Sequence, residues 1–215
     1  MIHPRVALLA TLVLLGASTG GNAALIFTAN LTNSQEVPPV TPTLATGGPR
    51  PVSFGFATFM LNDAMTALSF TATIFNIDVT GTQTPDTNDN LIAAHLHSGP
   101  TALPGLTAPV VWGFFGSPFN DNNPNDNMVT PFATGVGGTF SGKWDAPEGN
   151  NTTLTAQLVH ILADRSYINF HTVQFGGGEI RGQITAVPEP SSIALAGFGA
   201  IGLIGYGWLR PKRTR

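Results

Sequence analysis

The chain contains no cysteine. Disulfides, thiolate metal sites and thiol nucleophiles are therefore excluded together, and any folded domain must stand on its apolar core. Charge is also scarce, at 10% of residues. Positive charge is scarcest: between residues 24 and 187 only Arg50, Lys143, Arg165 and Arg181 oppose eleven acidic side chains, a net charge near −7. So acidic a body offers no patch to nucleic acid. Nor is there a legible catalytic set. Ser98 follows His97, but no third group is placed to orient them, as a hydrolase requires, so the chain reads as a non-enzyme.

What is present at the two extremities has the form of addresses. Residues 1–23 begin with one basic residue, Arg5, continue through the apolar run Val6 to Leu15, and close on Gly21-Asn22-Ala23. Charge, apolar run and small-residue exit make a secretory signal peptide. At the other extremity, residues 187–215 hold an uncharged span, Ile193 to Leu209, followed by Arg210, Lys212, Arg213 and Arg215. Seventeen apolar residues are just long enough for a transmembrane helix, and the basic cluster keeps its own side cytoplasmic, which leaves the body outside.

The body, residues 24–186, is the size of one domain. Its apolar periodicity is that of strands. "SFGFATFML" (53–61) and "ALSFTATIFNI" (67–77) alternate in register with a turn at Asn62-Asp63 between them. Further short runs at 25–32, 91–97, 109–116, 137–144, 167–172 and 179–185 are bounded by Gly, Pro, Asn and Asp. The one helix-like stretch, 154–164, spaces Leu154, Leu158, Ile161 and Leu162 helically. The expectation is an all-β fold, a Greek-key β-sandwich or barrel. The Asn/Asp-rich stretches 80–90 and 117–127 read as solvated loops; their oxygens suit calcium, but no distal glutamate completes a known loop pattern.

"LIAAHLHSGP" (91–100) carries the chemistry. On a strand His95 and His97 project from one face, and two imidazoles one residue apart can meet one ion. A third ligand has to come from elsewhere, and "YINFHTVQFGGGEIRGQI" supplies His171 on the face of Tyr167 and Asn169. Keeping Phe170 and Ile180 on one side allows His171 to lie opposite Glu179. Glu36, held extended before Pro38-Pro39, is a further polar contributor. Neutral imidazoles suit copper or zinc, so His95, His97 and His171 are the candidate metal ligands. The plainer alternative is three structural histidines hydrogen-bonded across strands, beside a Glu179–Arg181 ion pair. His160 belongs to the helix-like stretch and stands apart.

Two resemblances follow from these residues. "FTANLTNSQEVPPV", "ATFMLN", "AAHLHSGP", "APVVW", "YINFHT" and "GGGEIRGQI", in that order, resemble the CHRD domain family, named for repeats in chordin and found in bacterial exported proteins. The resemblance implies an all-β, immunoglobulin-like or barrel-like domain and little chemistry; the Asn/Asp tract after Phe119 departs from it as an insertion. Val187-Pro188-Glu189-Pro190, the apolar span and the basic end resemble the PEP-CTERM sorting signal of Gram-negative bacteria. That implies an exosortase-type enzyme recognising Pro188, Glu189 and Pro190, a membrane-anchored precursor exported across the inner membrane, and a product at the cell surface or outside it. Two functions are open to such a chain: a non-catalytic binding or extracellular matrix module, with extracellular polysaccharide as a partner, and a histidine-based copper or zinc binding protein with redox capacity.

Overall fold

A computed structural model describes residues 24–188. Within them the chain forms ten strands, one short α-helix and a single 3-10 turn (Asn33–Gln35): β1 (Leu25–Thr32), β2 (Phe54–Leu61), β3 (Ala67–Phe75), β4 (Leu91–Ser98), β5 (Val110–Phe115), β6 (Met128–Pro131), β7 (Gly137–Asp145), α1 (Leu154–Ile161), β8 (Ser166–Thr172), β9 (Ile180–Gln183) and β10 (Thr185–Ala186). Among them no helix is long and apolar enough to cross a membrane. The signal segment 1–23, the apolar span 193–209, Glu189 and Pro190 lie outside the described residues.

All strands join one sheet in the order β5-β4-β8-β9-β1-β2-β3-β7-β6, with β10 pairing β1. Every strand pairing is antiparallel. The all-β expectation holds, but the two alternatives of sandwich and barrel give way to a single curled sheet that stays open, with β5 and β6 as its edges. Strand twist supplies the curl. It brings the inner faces of the two ends together: Trp112 of β5 stacks on Trp144 of β7 with centroids 5.8 Å apart, and Phe170 of β8 meets Phe140 of β7 edge-on at 5.3 Å. Aromatic side chains are the residues large enough to fill the space inside such a curl, and edge-on or offset contacts suit their quadrupoles.

The alternation seen in the sequence sorts the faces of β2 and β3. Ala57, Phe59 and Leu61 of β2 and Phe70, Ala72 and Ile74 of β3 are buried. Their intervening neighbours point outward. Two boundaries and one strand differ most from the sequence reading. The 179–185 run divides at Ile184, which is buried and turns its N–H to the Ser166 carbonyl (2.9 Å), leaving β9 on β8 and β10 on β1. The helix ends at Ile161, so Leu162 is exposed and not part of its apolar stripe. Thr153 caps its start by accepting from the Ala156 N–H, as a threonine preceding a helix commonly does. Strand β6 has no counterpart among the expected runs, because four residues ending in proline give too little alternation to read.

The Asn/Asp loops are held by their own hydrogen bonds. Asp78 accepts from the backbone N–H groups of Thr80, Gly81, Gln83 and Thr84, which keeps its carboxylate below the usual range despite the opposing cost of burial. Glu148 accepts from the N–H groups of Asn122 and Asn123 and from the Trp112 indole.

Candidate functional site

Strands β4 and β8 pair with Ala93 opposite His171, His95 opposite Asn169 and His97 opposite Tyr167. That register places His171 diagonally across from His95 on one face, the separation at which ring side chains of adjacent strands still touch. His95 Nδ1 and His171 Nε2 lie 3.1 Å apart. One ring nitrogen of each of His95, His97 and His171 lies within 4.8 Å of the other two. All three rings are buried.

The face that carries them is polar but not solvated. Three loops roof it, and each contributes a backbone carbonyl to one histidine. His95 Nε2 donates to Ser117 (3.0 Å), His97 Nδ1 to Ala108 (2.8 Å) and His171 Nδ1 to Gly176 (3.1 Å). A carbonyl can only accept, so these contacts assign the N–H of each ring and with it the tautomer. The remaining nitrogens, His95 Nδ1, His97 Nε2 and His171 Nε2, are then lone pairs. His97 Nε2 has no hydrogen-bond partner. His95 Nδ1 and His171 Nε2 confront each other, acceptor against acceptor.

Burial settles the charge of the trio. It pushes His97 down to about 3 and His171 down to about 4, with the neighbouring histidines adding to the effect. His95 is lowered too, again chiefly by burial. These shifts favour the neutral ring in all three, and with it an acceptor on each of the facing nitrogens. Neutral imidazole with its second nitrogen tied to a carbonyl is the state in which histidine ligates a metal. Nitrogens bound to one first-row metal ion at about 2.0–2.1 Å sit roughly 3–4 Å apart. The His95–His171 pair has that spacing already, and the three ligand nitrogens all lie within 4.8 Å of one another.

Glycine makes the roof fit. A Cβ on Gly113 of β5 would overlap the Pro118 carbonyl and come within 3.0 Å of the His95 ring. The loop after β5 can therefore lie over His95 only because residue 113 has no side chain. Gly178, at φ +131, is similarly pressed: a Cβ there would reach Glu36 Oε1 and Asn169 Oδ1, each at 2.7 Å.

Around the trio, Tyr167 stacks on His97 (4.5 Å, 8°). The Arg181 guanidinium lies over the Tyr167 ring, 3.5 Å from its centroid, and donates to the carbonyls of Leu106 (2.6 Å) and Leu103 (3.0 Å). Glu36 is buried on the same face near Asn169, and burial raises its carboxyl to about 7 against the attraction of Arg181. Its oxygens do not join the converging nitrogens.

Two expectations fail here. Glu179 does not face His171: the strand begins only at Ile180, and the Glu179 carboxylate turns to the hydroxyls of Thr172 and Ser53 and to Arg50 (2.6 Å). Arg181, bonded to carbonyls, is accordingly not its ion partner. Ser98 is bonded to Ser166 and the Arg165 carbonyl, and His160 is half-buried in α1, away from the trio. The functional atoms the sequence could not announce are the three carbonyls. Their only trace is the Gly and Pro content of the segments that bear them.

The sequence profile described as CHRD domain matches residues 27–184. That described as PEP-CTERM protein-sorting motif matches residues 186–210. No curated protein and no solved structure matches the chain.

Proposed function

The chain belongs to the CHRD domain family and carries a PEP-CTERM sorting motif, and we propose that it is an exported, surface-sorted protein whose domain holds a transition-metal ion, copper or zinc, through His95, His97 and His171. The sorting motif implies export, membrane-anchored surface sorting and processing by an exosortase. In this reading residues 1–23 are the signal removed on export, 24–186 the working domain and 187–215 the sorting and anchoring segment, with Pro188, Glu189 and Pro190 as the recognition residues.

One observation carries the metal reading. Three buried imidazole nitrogens converge as bare lone pairs while the other nitrogen of each ring is occupied by a carbonyl. Purely structural histidines would use both nitrogens or leave the spare one in water, because a buried polar atom without a partner costs about 1–3 kcal/mol. Here one spare nitrogen is orphaned and two oppose each other. A cation satisfies all three. Three histidines leave a fourth position on a tetrahedral ion for water or a small ligand. Metal analysis of the protein exported to its native compartment tests this: near-stoichiometric copper or zinc is expected, and its loss in His97→Ala. A wild-type protein with no bound metal, and none taken up on addition, ends the reading.

A different observation favours a second, compatible role as a non-catalytic matrix module. The outward face of β2 exposes Phe54 and Phe56 between the hydroxyls of Thr32, Thr73 and Thr58. The outward positions of β1, β2 and β3 carry no charge. Exposed rings among neutral hydroxyls suit the apolar faces and hydroxyls of a neutral extracellular polysaccharide. Retention of the protein by such a polymer, lost in Phe56→Ala, tests it.

A further inference from the structure

The chemistry of the donor set goes further than the choice between copper and zinc, although any selectivity it confers rests on the metal reading above. The converging ligand atoms are three neutral nitrogens, with no carboxylate among them. The side chain stacked against His97 is the uncharged Tyr167, and behind it stands a cation, Arg181. Arg181 is close enough to His97 to bear on its charge state. The rings are buried, and the loops above them present carbonyls that are already engaged by the ring N–H groups.

Such a pocket discriminates by charge. The cost of taking an ion out of water grows with the square of its charge, so a divalent ion bears about four times the Born penalty of a monovalent one. A divalent ion usually offsets that cost with anionic ligands or retained water. Zinc(II) takes four ligands in structural and catalytic sites alike. This site offers three neutral donors with a cation nearby, and the loop carbonyls above it are already engaged by the ring N–H groups. A d10 copper(I) ion carries a single charge and is content with three nitrogens. The facing pair His95 Nδ1 and His171 Nε2, 3.1 Å apart, gives it two donors without rearrangement.

We infer that the ion this site selects is copper(I), in preference to zinc(II) and to copper(II), because three buried neutral imidazoles beside Arg181 stabilise a single positive charge and not two. A site that holds the reduced ion more tightly than the oxidised one raises the potential of the couple, the usual effect of a dry, neutral shell on a metal centre. Copper in this protein therefore rests as copper(I) and resists oxidation.

The test titrates the exported, metal-free protein anaerobically with copper(I), in competition with a chromogenic copper(I) chelator, and in parallel with zinc(II) against a fluorescent zinc chelator. The expected result is one copper(I) per chain and zinc binding at least about a hundredfold weaker, with the midpoint potential of bound copper more positive than that of copper in the same buffer. Copper(I) binding is lost in His97→Ala and in His95→Gln, with tryptophan emission from the core reporting that each variant is folded. Zinc(II) binding as tight as copper(I), or a midpoint below that of free copper, overturns the inference while leaving a metal site in place. Failure of the wild type to bind either copper(I) or zinc(II) overturns both.

Discussion

Strands β2 and β8 lie in one sheet and share one grammar of alternating side chains, yet their burial patterns are opposite in kind. In β2 every second residue is exposed; in β8 all seven are buried. The inner faces of both pack on the aromatic core. The difference lies outside. The outward face of β2 is open and carries Phe54 and Phe56, 46% and 53% exposed. The outward face of β8 carries Tyr167, Asn169 and His171 under a roof of loops. The sheet thus exposes apolar side chains where it is open and hides polar ones where it is covered, the reverse of what folding alone rewards. Covering a polar face is worthwhile for the fold only if each group finds a partner. Three ring nitrogens do not, which is why the covered region and not the open one reads as the site.

The largest effect should come from lifting the roof. Gly113→Ala places a Cβ on the Pro118 carbonyl, in backbone that cannot yield without releasing the loop from His95. Overpacking of this kind costs about 3 kcal/mol, or a fall in Tm of roughly 6–12 °C for a domain of this length. Thermal unfolding followed by near-ultraviolet circular dichroism checks it. Metal uptake should fall with it, since His95 Nε2 loses the carbonyl that fixes its tautomer. A variant with unchanged Tm and unchanged uptake would mean that the loop moves freely and that covering is incidental.

Metal addition comes next. An ion bound only by the folded state at a hundred times its Kd stabilises by about 2.7 kcal/mol, roughly 5–11 °C in Tm. His97→Ala should abolish that rise while β2 variants keep it.

The metal-free protein should also lose stability as pH falls from about 6.5 towards 4. The three histidines have pKa values below the unfolded 6.5, so in this window the unfolded chain binds more protons and is favoured. Glu36, raised to about 7, works the other way: its contribution is complete below about 4.5 and is lost as pH rises towards 7. Asp121, raised to about 6 by burial, does the same over a narrower window. Glu36→Gln should therefore steepen the acid loss, measured as denaturant midpoints at pH 4.5, 5.5 and 6.5. An unaltered slope would place Glu36 in water.

Much of the contrast between the two strands is legible in the sequence. Alternation in 53–61 and 67–77 gives the open strands, and His-x-His followed by Tyr167-x-Asn169-x-His171 gives two polar strand faces. The pairing that joins those faces is not legible, because β4 and β8 are separated by 67 residues of chain and nothing local sets their register. The loop carbonyls are equally silent, since a backbone oxygen has no side-chain signature. Carrying strand parity from Ile180 back to Glu179 misplaces it: the strand begins only at Ile180, and the carboxylate turns to Thr172, Ser53 and Arg50. The face of β2 is visible as a stripe of Phe54, Phe56, Thr58 and Met60, but alternation alone cannot say which stripe meets the core.

The smallest effect on stability should come from that stripe. Phe56 lies between Asn30 of β1 and Thr73 of β3, with more than half of its surface in water and only a tilted contact to Phe75 at 6.3 Å. Truncating a side chain so exposed changes stability by about 0.5 kcal/mol or less, a Tm shift of roughly 1–2 °C. Phe54, stacked on Phe75 at 4.7 Å, should cost slightly more because the pair shields part of both rings. Neither Phe56→Ala nor Phe54→Ala should alter metal uptake, while both should weaken retention by a neutral polysaccharide. A Phe56→Ala variant as damaged as Gly113→Ala would show that the open face is covered in the working protein. The contrast between the two strands would then be one of occupants, a loop over β8 and a partner over β2.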